Sequence, residues 1–164
     1  MFIAIEGERK SLLNYLDFAL NTDEEKAKDM FILLVRDEFN HFEILNTEIK
    51  AVKETGRFIQ PEFTPSEIVR ITPNLKKVTL ERHEPAEIGE KQAVDTALDL
   101  EDEAKNFYRE QALKSQDPHA REMRHKLADM EEAHYQLLMS QTHHLRETGY
   151  WLNIKEFSLE VSKD

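Results

Sequence analysis

Apolar residues recur at helical spacing along most of the chain. Phe31, Leu34, Val35, Phe42, Leu45, Ile49 and Val52 form one stripe and predict a helix from about Asp23 to Glu54. A helix before it, from about Phe2 to Leu20, stops at Asn21-Thr22-Asp23, where Thr22 and Glu25 have the spacing of a capping box. Gly56 is a natural stop for the second helix. A third helix is predicted from about Pro85 to Lys114, with Gly89 as a candidate kink. A fourth runs from Pro118 to about Thr148, with Asp117 as N-cap, Pro118 at the first helical position and Gly149 as its end.

Between the second and third helices lies a crossover from about Arg57 to Glu84, broken by Pro61, Pro65 and Pro73, with room for a short helix over Ser66 to Arg70. Loops of this length in compact domains have a job. A helix of about 30 residues is about 45 Å long. A chain that must travel back along it, to start a helix parallel to the last, needs a long connection. The tail from Tyr150 to Asp164 carries Trp151, Leu152, Ile154 and Phe157, and is expected to pack on the bundle or on a second subunit. The expected architecture is all-α: one domain over residues 1–164, a four-helix bundle of two helical hairpins joined by a long crossover.

Composition narrows the function. The formal charge of −11 argues against a nucleic-acid partner, which needs clustered Lys and Arg, and against docking on an anionic membrane. With no cysteine, disulfides, thiolate metal sites and thiolate-held iron–sulfur clusters are excluded. The apolar start, Met1 to Ile5, is too short for a signal peptide, and no stretch approaches the roughly 20 apolar residues of a membrane span. The expected compartment is the cytoplasm. No Gly-rich phosphate loop or Ser-His-Asp arrangement is present.

Shifted by 93 residues, the chain aligns with itself without a gap. Ala4 meets Ala97, Glu8 meets Glu101, Tyr15 meets Tyr108, Met30 meets Met123, Leu34 meets Leu127, Glu38 meets Glu131, His41 meets His134 and Leu45 meets Leu138. Roughly one position in five is identical, against roughly one in twenty by chance. Each half is one helical hairpin. The repeated polar residues sit where the apolar stripe should continue: Glu38 and His41 interrupt the stripe of helix 2, Glu131 and His134 that of helix 4. Residues three apart share a helix face, so each Glu-x-x-His pair points inward together.

Levels agree as well. Glu8 and Glu38 are equidistant from the first interhelical turn, and Glu101 and Glu131 from the second, so each lone Glu stands at the height of a Glu-x-x-His pair. Six side chains, Glu8, Glu38, His41, Glu101, Glu131 and His134, should therefore converge in one layer. Four carboxylates in a core repel one another and lose hydration, at several kcal/mol each. Two divalent cations balance that charge and two neutral imidazoles complete the donor set, with carboxylates bridging the ions. A lone Glu-x-x-His would be read as ordinary surface charge. Glu122 and His125 form such a pair with no counterpart one repeat earlier, about 180° around the helix from Glu131, and should face solvent.

These residues resemble the rubrerythrin branch of the ferritin-like superfamily. Its first-helix pattern, Ala-x3-Glu-x6-Tyr, matches Ala4, Glu8 and Tyr15 and returns as Ala97, Glu101 and Tyr108. Asp37-Glu38-x-x-His41 and Glu131-x-x-His134 are similar to the motifs of its second and fourth helices. The resemblance, over about residues 2 to 148, implies a ferritin-like bundle holding two iron ions per chain that reduces hydrogen peroxide or dioxygen. Manganese or a mixed pair fits the same ligand types. Two departures stand out. Rubrerythrins carry a rubredoxin-like four-cysteine domain as electron relay, whereas this chain has no cysteine, which implies a separate electron-donor protein. Many also carry an extra Glu one turn after the third-helix ligand. That position is Ala104 here, and Glu103 lies about 200° from Glu101.

The remaining residues take simpler expectations. Tyr15 and Tyr108 lie two turns from the lone Glu residues on the same face and are expected to hydrogen-bond the carboxylates. Met30 and Met123 are expected in the core, and His83, His119, His143 and His144 in solvent. The alternatives to a peroxide- or dioxygen-reducing enzyme are a ferroxidase of an iron-storage protein and a diiron oxygenase. The first would form a cage of many subunits, and the tail does not clearly supply the fifth helix of such cages. The second would need an apolar channel to the metals. A homodimer is the expected assembly.

Overall fold

Local turn chemistry sets where each helix begins and ends. The computed structural model describes residues 2–63, 66, 68–70, 72 and 88–154. It contains four long helices, α1 (Phe2–Asn21), α2 (Glu25–Thr55), α3 (Ile88–Lys114) and α4 (Pro118–Thr148), and no strand among the described residues. The bounds follow the predicted ones closely. The expected first residues of the third helix, from Pro85, lie outside the described residues, as do Pro65, Pro73, His83 and Phe157.

The α4 start is as expected: Asp117 Oδ1 accepts from the amides of His119 (2.9 Å) and Ala120 (3.1 Å), and Pro118 follows the cap. The α2 start is not. The N-cap is Glu24, with no side-chain cap, so the predicted capping box of Thr22 and Glu25 does not form. The reason is that α1 runs one residue further than expected. The Thr22 amide still bonds the Phe18 carbonyl at 3.1 Å, which places Thr22 at the end of α1. Its hydroxyl accepts instead from the Glu24 amide at 3.3 Å, closing the turn locally.

Both α2 and α4 end on a glycine in the left-handed region, Gly56 (φ 70°) and Gly149 (φ 81°), whose amides bond Val52 and Leu145 carbonyls at 2.9 Å. These glycines are themselves one repeat apart, so the internal symmetry extends past the helix ends. In the second half Gln141 holds the segment beyond the glycine: its side chain donates to the Leu152 carbonyl (3.1 Å) and accepts from the Leu152 amide (3.0 Å). Its counterpart in the first half, Glu48, is buried beside the backbone of Ile59, the counterpart of Leu152. Burial pushes the Glu48 carboxyl up, with the Ile59 backbone and the Arg124 guanidinium opposing.

The described part of the tail, residues 150–154, therefore packs on the bundle. Trp151, Leu152 and Ile154 are buried, and the Trp151 ring meets Phe31 edge-on at 6.2 Å. His144, expected in solvent, is buried instead. It shares a helix face with Gln141, which anchors this tail, and reading α4 as a bare helix leaves that face open. His119 and His143 are exposed, and Met30 and Met123 are buried, as expected.

Helix α1 packs along α2, α3 along α4, and α1 also meets α3. The core divides into two apolar clusters. One gathers Tyr15, Phe31 and Leu34 with Val94, Ala97, Leu137 and Leu145; the other gathers Ala4, Ile44 and Leu45 with Tyr108, Met123 and Leu127. The start of α1 thus lies with the end of α3, so these two helices are antiparallel and α3 runs parallel to α2, the geometry that requires a long crossover. Within the crossover Ile68 to Arg70 are helical and Ile68 is buried in the first cluster.

Candidate metal centre

Between the two apolar clusters sits a polar layer. Glu8 on α1, Glu38 and His41 on α2, Glu101 on α3, and Glu131 and His134 on α4 are each 3% exposed or less. The structure brings all six sequence-predicted residues together. The two imidazoles stack with centroids 5.4 Å apart and planes 16° apart. His41 Nδ1 lies 3.0 Å from Glu131 Oε1 and 3.4 Å from Glu8 Oε2. His134 Nδ1 lies 3.1 Å from Glu131 Oε2, 3.2 Å from Glu38 Oε1 and 3.5 Å from Glu101 Oε2.

These donors form two overlapping groups, Glu8-Glu38-His41-Glu131 and Glu38-Glu101-Glu131-His134, in each of which the donor atoms lie within 4.8 Å of one another. Glu38 and Glu131 belong to both. Glu131 turns Oε1 toward His41 and Oε2 toward His134, and Glu38 turns Oε2 and Oε1 the same two ways. These two carboxylates thus face both histidines, while Glu8 and Glu101 each belong to one group.

Tyr15 and Tyr108 do bond the carboxylates, but across the hairpins. The Tyr15 hydroxyl donates to Glu101 Oε1, and the Tyr108 hydroxyl donates to Glu8 Oε1. Each terminal carboxylate thus has one oxygen tied to the opposite hairpin. Its other oxygen, Oε2 in both cases, has no hydrogen-bond partner and faces the layer.

The electrostatics describe a site short of positive charge. Burial, then repulsion from Glu131, Glu8 and Glu101, pushes the Glu38 carboxyl well up. Burial raises Glu101 to about 7. Burial would raise Glu131 too, but His41 and His134 on either side hold it well below the usual carboxylate range. Burial alone would lower both imidazoles, yet the surrounding carboxylates push them well up. Burial and the adjacent carboxylates also raise both phenols far above their usual value, so they remain hydrogen-bond donors. Protons here do the work that cations could do. Among the described residues, ten buried side-chain nitrogen and oxygen atoms lack a hydrogen-bond partner, and eight belong to these six residues. Buried polar atoms are otherwise satisfied, so this concentration of unpartnered donor atoms fits bound metal.

Two residues outside the six predicted ones join the site, Asp37, quoted above only as part of a motif, and Ser66. Asp37 is buried, accepts from the Ser66 hydroxyl of the crossover, and lies 3.3 Å from His134 Nε2. Its signal was present: a second acid beside Glu38 inside an apolar stripe, with apolar Met130 as its repeat counterpart. Ser66 carried no such signal. The expected control holds, for Glu122 and His125 are exposed, and Glu122 pairs with Lys126 at 3.0 Å.

A cavity of about 340 Å³ opens between α1 and α3, lined by Ile3, Ala4, Gly7, Leu100, Ala104 and Phe107 and reaching Glu8 and Tyr108. Ala104 forms part of this wall. No helix among the described residues is long and apolar enough to cross a membrane.

Against known proteins, no curated sequence and no solved structure matches the chain. The rubrerythrin family model matches residues 2–141, which takes in α1, α2, α3, most of α4 and every residue of the polar layer. The chain therefore belongs to the rubrerythrin family.

Proposed function

We propose that this chain is a single ferritin-like diiron domain that reduces hydrogen peroxide or dioxygen with electrons from a separate donor protein. The observation that carries the reading is the pair of overlapping four-residue groups sharing Glu38 and Glu131. Family membership supports iron as the metal, with manganese or a mixed pair as chemical alternatives. Glu38 and Glu131 would bridge, Glu8 and His41 would complete one position, and Glu101 and His134 the other. Two bound ferrous ions would supply the two electrons that, with two protons, convert one hydrogen peroxide to two waters.

The protein's own contribution is placement and proton supply. Tyr15 and Tyr108 hold Glu101 and Glu8 by one oxygen each and leave the other free to bind. The α1–α3 cavity would be the route by which a small oxidant reaches the layer, and Tyr108, at its inner wall and bonded to Glu8, would relay a proton toward it without itself ionising. The same cavity has a largely apolar lining, which favours a second reading, an oxygenase acting on a small organic substrate. We expect a homodimer, with a second copy covering exposed Leu13, Leu16 and Leu20 of α1, and a cytoplasmic location.

Anaerobic loading with Fe(II), followed by mixing with hydrogen peroxide or with dioxygen, tests the reading. Two irons per chain and rapid oxidation by peroxide or dioxygen are expected, with Glu131→Ala abolishing stoichiometric binding while the helices survive. Unchanged iron content in Glu131→Ala would refute the assignment of the layer. Ala104→Phe should slow oxidation without lowering iron content if the cavity is the route.

A further inference from the structure

The internal symmetry of the polar layer breaks at one position. Asp37 and Met130 are repeat counterparts, one a buried acid and the other a buried thioether. In consequence the two imidazoles differ on the side facing away from the layer. His134 Nε2 lies 3.3 Å from Asp37 Oδ2, whereas His41 Nε2 is buried without a hydrogen-bond partner. The acid is itself held, because the Ser66 hydroxyl donates to the same Oδ2. Further along the crossover, Thr72 Oγ1 approaches the carbonyl of Ala133, next to His134, at 3.5 Å.

A histidine that binds metal through Nδ1 must carry its proton on Nε2, and an acceptor beside Nε2 fixes that tautomer and the ring's orientation. Asp37 supplies this acceptor to His134. For His41 the same tautomer leaves a buried N–H unpaired, which is unfavourable.

We propose that the two metal positions are unequal, and that Asp37, clamped by Ser66 of the crossover, makes the His134 position the tighter one. This rests on the reading of the layer as a dinuclear metal site. Asp37 is a positioning residue: it acts on the metal through His134. The crossover, beyond returning the chain, is tied through Ser66 to the His134 position.

Calorimetric titration of the metal-free protein with Zn(II), and absorption titration with Co(II), test this. Two steps are expected, and Asp37→Asn should weaken the tighter one by about 10- to 100-fold, leaving the weaker step in place and altering the Co(II) spectrum of the first ion bound. Ser66→Ala keeps the acid and removes only its clamp, so it should weaken the same step by a smaller factor and serves if Asp37→Asn folds poorly. Two indistinguishable steps in the unsubstituted protein, or equal weakening of both steps by Asp37→Asn, would overturn the inference and leave the dinuclear site standing. Failure of the unsubstituted protein to bind either ion would overturn both.

Discussion

Raising the pH should destabilise the metal-free protein, and divalent metal should remove that effect. A group whose pKa is raised by folding stabilises the folded chain below its unfolded pKa, and that stabilisation is lost as pH climbs through the folded value. Glu38, Glu101, His41 and His134 are all raised, so all act in this direction between about pH 5 and 8. Glu131 and Asp37 are depressed and act the other way, but their windows lie below the ordinary values of 4.5 and 3.8 and do not offset the loss. For Glu101 alone, the rise from 4.5 to about 7 corresponds to about 3 kcal/mol at 1.36 kcal/mol per pH unit. At about 2–4 °C per kcal/mol for a chain of this size, the melting temperature should fall by about 6–12 °C from pH 5 to pH 8. Bound cations replace the protons, so excess Mn(II) or Zn(II) should stabilise most at the high end. A hundredfold excess of free ion over Kd adds about 2.7 kcal/mol. The assay is thermal unfolding by circular dichroism at pH 5, 6, 7 and 8, with chelator or with metal. A chelated protein whose melting temperature is flat or rises over that range would refute the reasoning.

Three further outcomes follow from the hydrogen bonds and backbone geometry. Tyr15→Phe or Tyr108→Phe leaves a buried carboxylate oxygen without its donor, and each should cost about 1–3 kcal/mol in urea unfolding; losses under about 0.5 kcal/mol would mean the hydroxyls contribute little. Gln141→Ala strips the Leu152 amide and carbonyl of their partners, so emission from Trp151, the sole tryptophan, should shift to the red and become open to acrylamide quenching; an unchanged spectrum would show that the tail is held by packing alone. Gly56→Ala meets no steric obstacle within 4 Å but must adopt φ 70°, so it should lower stability by about 1–2 kcal/mol, with Gly56→Asn losing less; equal stability of all three would contradict the left-handed cap.

By itself the sequence determined the four helices, the all-α class and the six-residue layer. Helical periodicity is local, and Asp117-Pro118, Gly56 and Gly149 mark ends through near-neighbour chemistry. The layer was legible because a gapless repeat places Glu8 with Glu101, Glu38 with Glu131 and His41 with His134, and equal distances from a turn mean equal heights in a hairpin. The local rule failed at Thr22, where one extra residue of α1 moved the cap to Glu24. Only the tertiary structure decided which partners meet across the hairpins. Tyr15 reaches Glu101 and Tyr108 reaches Glu8, Glu38 and Glu131 face both histidines, and Ser66 reaches Asp37 beside His134. The burial of His144 likewise depends on Trp151, Leu152 and Ile154 folding back onto the bundle. These contacts join residues far apart in the chain, so no spacing encodes them. They arise when buried acids, phenols and imidazoles must find partners in whichever helices pack beside them.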